Sequence, residues 1–340
     1  MMLIFSLFFS LFTLPPTSRT DAEIILWYGN EQYFQRGSSQ QWINILGQAT
    51  PRDKVKQLLY SLNKGDWKPL TLGSDLHRLA NAGDFNIDLD TLLLKDGKNL
   101  LEIKLTDTES KVKRKTVHIY YSRKPDWKLP FIINWQTEQN IQKALQVIDG
   151  QWKITPEGVR TVTPYYDRTL GFGNQSWQNY EVQTTVVFHG FTPPQDGPPT
   201  YNVSHAAIAV YWPGHATDTL QPYRKWFPLG ATAEFMLSKD LQACHWRIFD
   251  GEKLYSEDKT GKWTVVIGEK YGFKHRVITL KDGRIYYRVK IWKHALPEPK
   301  EWTFEAYENE PSLHNKGGAL LLTHHTDVTF GNISVKSVNE

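Results

Sequence analysis

Apolar residues alternate with polar ones in short runs along most of this chain, which is the period of half-buried β-strands. Between residues 24 and 122 the runs are EIILWYG, QWINILGQA, KQLLYSLN, DFNIDLD, NLLEIKLTD and RKTVHIYY. Asn63-Lys64-Gly65, Asn81-Ala82-Gly83 and Asp96-Gly97-Lys98-Asn99 punctuate them with turn chemistry. From residue 131 the same pattern resumes in YEVQTTVVFHG, HAAIAVYW, TAEFMLS, HWRIFDG, HRVITLKDGRIYYRVKIW, GALLLTHH and VTFGNISV. The Asp-Gly of LKDGRIYYRVKIW announces a hairpin. SRKPDWKLP, residues 122–130, has proline, charge and no period. No stretch carries the period of a long amphipathic helix or of a solenoid repeat. The pattern predicts an all-β chain of two sandwiches, residues 23–122 and 131–338, joined by a linker at 123–130.

The first 22 residues do not belong to that pattern. Leu3–Leu14 is an apolar run too short for a standard membrane-spanning helix. It suits the apolar core of a secretory leader with cleavage near Ser18–Ala22, although no Lys or Arg precedes Leu3. The expectation is a secreted or periplasmic protein without stable membrane insertion after cleavage; uncleaved anchoring is the alternative. Net charge is +4 over 340 residues, which calls for no nucleic-acid partner. Cys244 is the single cysteine, so neither an intramolecular disulfide nor a thiolate metal cluster can form. With 13 Trp, 16 Tyr and 16 Phe, aromatics are dense enough both to fill β cores and to offer stacking platforms.

About seven strands over ~100 residues is the size of an immunoglobulin-like sandwich. At GDFNIDLDTLLLKDGKNLLEIKLTD the first block resembles bacterial Ig-like modules. The second block resembles the concanavalin A-like jelly rolls of lectins and glucanases. DGQWKITPEGVR, YYDRTLGFGNQSWQNYEVQTTVVF, KIWKHALPEPKEWTFEA and HHTDVTFGNISV carry that resemblance in the right order over roughly two hundred residues. It implies an Ig-like sandwich followed by a jelly roll, the layout of a group of secreted bacterial proteins. Jelly rolls of this group often hold calcium. Asp149 and Asp327, near the first and last strands, are the candidate ligands, and ordinary turn aspartates are the alternative. No other cofactor is implied.

The chemistry is thinner than the architecture. In LLLTHHTDVTFGNISV, His324 and His325 face opposite sides of a regular strand and cannot both hold one metal. His325 and Asp327 share a face, too few ligands for a closed zinc site. The Glu-x-Asp-x-x-Glu strand of jelly-roll glucanases is absent. Glu181 and Glu234 lie on strands, either could act in catalysis, and nothing pairs them. His189, His205, Tyr211 and Arg288 are of the types a polysaccharide lyase uses. Alternation sets Tyr211 on the face of His205, and Trp212 with Ile208 and Val210. Tyr211, Trp212, His215, Tyr223, Arg224 and Trp226 crowd a loop broken by Pro213, Gly214 and Pro222, suited to stacking on a sugar or to pinning the loop itself. Tyr286, Arg288, Lys290 and Trp292 share another mixed face. Asn332, in a glycosylation sequon, falls inside the closing strand.

These readings predict a secreted carbohydrate-binding protein that recognises a polysaccharide through aromatic and basic residues of its jelly roll. The alternatives are a glycoside hydrolase or polysaccharide lyase with an atypical site on that domain, and a structural or adhesive envelope protein. The missing glucanase pattern favours binding over hydrolysis.

Overall fold

The computed structural model describes residues 21–34, 41–75, 77–124, 126–192, 203–214, 227, 229–309 and 315–339. Their regular structure is almost entirely strand, in four sheets that form two sandwiches. In the first, Glu23–Leu26, Trp42–Thr50 and Asp84–Asp90 make a three-stranded sheet. It faces a five-stranded sheet of Glu31–Phe34, Val112–Tyr121, Gly97–Asp107, Val55–Leu62 and Lys68–Pro69. Alternation decides what goes inside: Ile43, Ile45, Phe85 and Ile87 meet Leu101, Ile103, Leu105, Val117 and Ile119 in one buried cluster. Leu46, of opposite parity, packs instead into the core of the second sandwich.

The second sandwich stacks a seven-stranded sheet on a nine-stranded one. The seven strands run, in spatial order, Gln146–Asp149, Arg168–Phe172, Gly318–His324, His205–Trp212, Ala231–Met236, His245–Phe249 and Leu254–Glu257. The centre of the other sheet is Thr326–Phe330, Tyr180–Phe191, Lys270–Thr279 and Ile285–Lys293. The last two form the expected hairpin, closed by Gly283 at φ +86°. Ile208, Val210, Phe235, Trp246 and Ile248 from one sheet interdigitate with Val182, Phe188, Phe273, Val277 and Tyr287 from the other. His205, Ala207 and Ala209 therefore point away from the core.

The alternation breaks at Tyr211. Its backbone is left-handed, φ +54°, and the pairing with Gly318–His324 slips between Ala209 and Trp212. One extra residue at a bulge reverses every later side chain. Tyr211 thus turns into the core, where its hydroxyl bonds Asn179 and Thr279. Trp212 packs on the opposite side with Ala207, Ala209 and Leu320. Both rings are buried, which corrects their placement on an exposed loop and the face assigned to each.

The two adjacent histidines mark a crossing between sheets. His324 ends a strand of the seven-stranded sheet, and Thr326 begins one of the nine-stranded sheet. His325 turns the corner at φ +49° and donates its N–H to the Tyr165 carbonyl at 2.8 Å. The expected shared face of His325 and Asp327 is lost at this corner: His325 packs on Tyr165, while Asp327 bonds Arg160. The closing run is likewise two strands, Thr326–Phe330 and Ile333–Ser337. Asn332 lies between them, and its side chain accepts the Trp135 N–H.

The sandwiches meet through buried polar groups. Tyr28 donates its hydroxyl to the Gly150 carbonyl at 2.9 Å and accepts the Trp152 N–H at 2.8 Å. Gln146 donates to the Trp42 carbonyl. Arg78, in a turn of the first sandwich, donates to Asp88 of its own unit and to Asp149 and the Ile148 carbonyl of the second. In the expected linker, Trp127 is buried against Phe131 in the second core. Among the described residues no helix is long and apolar enough to cross a membrane.

Candidate functional site

The outward face of the seven-stranded sheet gathers polar side chains from four strands and one loop. The four strand residues each sit at an outward position of an otherwise apolar run, so alternation sets their direction. His205 and His324 are direct cross-strand partners, and so are Glu234 and Arg247. The two imidazoles stack, with centroids 5.2 Å apart and planes 5° apart. Arg247 holds Glu234 at 2.5 Å, and the other oxygen of Glu234 lies 3.6 Å from His205 Nε2. On the far side His324 Nδ1 is 2.7 Å from Asp167, and the Tyr166 ring meets His324 edge-on at 4.7 Å.

These groups line a cavity of about 100 Å³ together with Val203, Phe227, Leu229, Phe249 and Gly251. His205, Glu234, His324 and Asp167 are each at least 95% buried. Yet His205 Nδ1 and His324 Nε2 have no hydrogen-bond partner among the described residues. A buried polar atom without a partner costs free energy comparable to a lost hydrogen bond, so each such atom calls for an explanation. Both belong to neighbouring rings of residues that line one cavity.

Burial also sets the charges. It pushes the Glu234 carboxyl up to about 7, against the opposing pull of the Arg247 guanidinium. It pushes His205 well below the usual imidazole range, and the neighbouring His324 and Arg247 push the same way. The His205 ring is therefore neutral at ordinary pH. One nitrogen donates and the other accepts.

The sequence-derived candidates are dispersed. His205 is in this cluster. Tyr211 and Trp212 are internal. His189 lies on the nine-stranded sheet, 2.8 Å from Thr329. Arg288 and Trp292 lie on a different strand of that sheet. Arg288 is paired to Glu305 and stacked on Trp302, and Trp292 covers Gly272. His215, Tyr223, Arg224 and Trp226 lie outside the described residues. Of the two carboxylates singled out, Glu234 is in the site, whereas Glu181 is bound by Arg276 and Lys336 on the other sheet.

Asp149 and Asp327 are not brought together. Asp149, in the seven-stranded sheet, is held between Arg78 and Arg168; Asp327, in the nine-stranded sheet, accepts two bonds from Arg160. Arginine donors occupy the oxygens that calcium would need. No group of three or more His, Cys, Asp or Glu among the described residues is arranged to hold a metal ion.

A larger cavity, about 730 Å³, opens in the first sandwich beside Trp42, Tyr60, Asp66, Lys68 and Asp90. None of the unpartnered buried polar atoms lines it, so it lacks the signal found at the histidine pair.

No family model and no curated protein matches the chain. Among solved structures it is similar to the Caenorhabditis elegans galectin LEC-6, at 11% identity and a TM-score of 0.30, covering 52% of this chain and 93% of that one. It is similar to the calcium-bound exoplasmic domain of VIP36, at 10% identity and 0.37, covering 62% and 90%. The alginate lyase Aly36B in complex with alginate trisaccharide gives 10% identity and 0.35, covering 62% and 100%. At these values none of the likenesses bears on what the chain binds.

Asp167, Tyr166, Glu234 and Arg247 were not singled out together by sequence reasoning. The available signal was a lone charged residue at an outward position, as in TAEFM and HWRIF. That signal gives a face. It does not give the neighbour across the sheet.

Proposed function

We propose that the chain binds a glycan on the outward face of its seven-stranded sheet, at the cavity walled by His205, Glu234, Arg247, His324, Asp167 and Tyr166. The observation that carries this reading is the pair of stacked, buried imidazoles that line the cavity, each with one nitrogen unpartnered among the described residues. Sugar hydroxyls donate and accept at once, which suits the neutral His205 imidazole beside a carboxyl and a guanidinium. Phe227, Phe249 and Tyr166 border the same cavity and offer ring surface for the apolar face of a sugar. Two carboxyl groups stand beside the single guanidinium of Arg247, so the site lacks the cluster of cations that phosphate backbones select. The expected secretion or periplasmic localisation, the leader at residues 1–22 and the Ig-like character of the first sandwich form part of the same proposal. Titration of soluble polysaccharides into the wild type and Glu234→Gln tests it. Saturable binding weakened by the substitution supports it, and unchanged binding removes the site.

A second reading is glycan cleavage. It is favoured by one observation: Glu234, whose carboxyl is pushed up to about 7, shares a face with a second carboxylate, Asp167. A carboxyl that keeps its proton near neutrality, on one face with a second carboxyl, is the pairing from which glycoside hydrolysis draws its acid and its base. Chromatography of each bound polysaccharide after incubation distinguishes the readings. Shortened products that vanish in Glu234→Gln mean an enzyme, and intact polymer means a binding module.

A further inference from the structure

The row of rings does not stop at Tyr166. His77, from the first sandwich, meets the Tyr166 ring with centroids 5.2 Å apart at 67°. Tyr166 meets His324, and His324 stacks on His205. Four rings thus run in succession from one sandwich to the other. We propose that His77 is part of the ligand surface: the first sandwich supplies the far end of the glycan site, and a polysaccharide that reaches from the cavity past Tyr166 to His77 is read by both units. The inference rests on the glycan reading of the outward face.

His77 is held where a fixed contact needs it. The Asp75 side chain accepts the backbone N–H groups of His77, Arg78 and Leu79 at 2.9, 2.9 and 2.8 Å through one oxygen. The Asp75 N–H donates to the Leu79 carbonyl at 3.0 Å and closes the turn. Arg78, next in sequence, bonds Asp88, Asp149 and the Ile148 carbonyl, while Arg168 donates to the Arg78 carbonyl at 3.0 Å. Arg168 follows Asp167 and Tyr166 in the chain, so the segment that lines the cavity also clamps the turn that carries His77. Arg78 and Leu79 are buried, and His77 is half-buried beside them. A contact residue held by its own backbone bonds loses little freedom on binding, which is the advantage of preorganisation.

The geometry also sets the ligand class. A single sugar seated at Arg247 and Glu234 lies at one end of the row, with three ring contacts between His205 and His77. Only a chain of linked sugars reaches across. The first sandwich would then add affinity for oligosaccharides and nothing for a sugar short enough to stay at the cavity.

Matched disaccharides and hexasaccharides of β-linked hexoses and uronates, titrated into the wild type, His77→Ala and Arg247→Ala, test this. Arg247→Ala is expected to weaken both lengths. His77→Ala is expected to lose about tenfold on the hexasaccharide, the worth of one stacked ring, with the disaccharide and the melting temperature unchanged. Equal hexasaccharide affinity in the wild type and His77→Ala overturns the role of His77 and leaves the cavity reading standing. So does an equal loss on both lengths with a lower melting temperature, which would make His77 a structural residue. If the wild type binds no panel member, or Arg247→Ala binds as the wild type does, the cavity reading falls and this inference with it.

Discussion

Glu234 Oε1 lies 3.6 Å from His205 Nε2, with both side chains almost fully buried. Burial moves the two groups in opposite directions, the carboxyl up to about 7 and the imidazole well down. A carboxyl with a raised folded value contributes stability that is present below its unfolded value and lost as pH rises through about 7. Glu234→Gln cannot titrate. Its stability relative to the wild type should therefore improve between pH 5 and pH 8, by about 3 kcal/mol at roughly 1.4 kcal/mol per pH unit. Urea denaturation of both proteins at the two pH values checks this. A constant difference between them would mean that Glu234 is ionised throughout.

His275 gives the opposite sign. Its ring crosses the core from the nine-stranded sheet to the Ile208 carbonyl of the seven-stranded one, at 2.8 Å. Burial pushes it down to about 4. Such a histidine contributes stability that is present above its unfolded value, near 6.5, and lost as pH falls through about 4. Between pH 7 and pH 5 the wild type should lose about 2 kcal/mol that His275→Gln does not lose. Parallel pH dependence in the two proteins would show the ring to be more hydrated than its position implies.

Arg78 ties the two sandwiches together from a fully buried position. Removing one partner of a buried ion pair leaves an uncompensated charge and costs roughly 3–5 kcal/mol. Arg78→Met should lower stability by that order, and the double variant Arg78→Met/Asp149→Asn should recover part of it. Urea midpoints of the three proteins decide. No recovery in the double variant would mean that the loss comes from packing rather than from stranded charge.

The division between what the sequence revealed and what it concealed follows from periodicity. A period of two locates strands and separates their two faces, and on those strands Ile43, Ile45, Ile208 and Val210 take the inward one. A bulge leaves no mark on composition. The turn at Tyr211 therefore reversed the faces assigned to Tyr211 and Trp212, and the corner at His325 separated His325 from Asp327. The site itself is a matter of register. Asp167 and His324 are 157 positions apart, and they meet because Arg168–Phe172 and His205–Trp212 flank Gly318–His324 on its two edges. Pattern reasoning over one chain cannot supply that neighbour relation. It did mark Glu234 and His205 as strand-borne groups suited to chemistry, and both are in the cavity.

Indifference to calcium follows from the arginine pairing of Asp149 and Asp327. Oxygens that already accept guanidinium bonds are poor partners for a hard cation. Melting temperatures in chelator and in millimolar calcium should agree. A calcium-induced rise of several degrees that disappears in Asp327→Asn would contradict this.

The central claim is that ligand binds on the outward face of the seven-stranded sheet and not on the nine-stranded sheet, where Arg288 and Trp292 lie. The most direct measurement is a pair of binding isotherms with one glycan, on Arg247→Ala and on Arg288→Ala. The account predicts that Arg247→Ala loses affinity by about tenfold or more, of the order of 1.4 kcal/mol, while Arg288→Ala binds as the wild type does. Full affinity in Arg247→Ala, with the loss in Arg288→Ala, would contradict it.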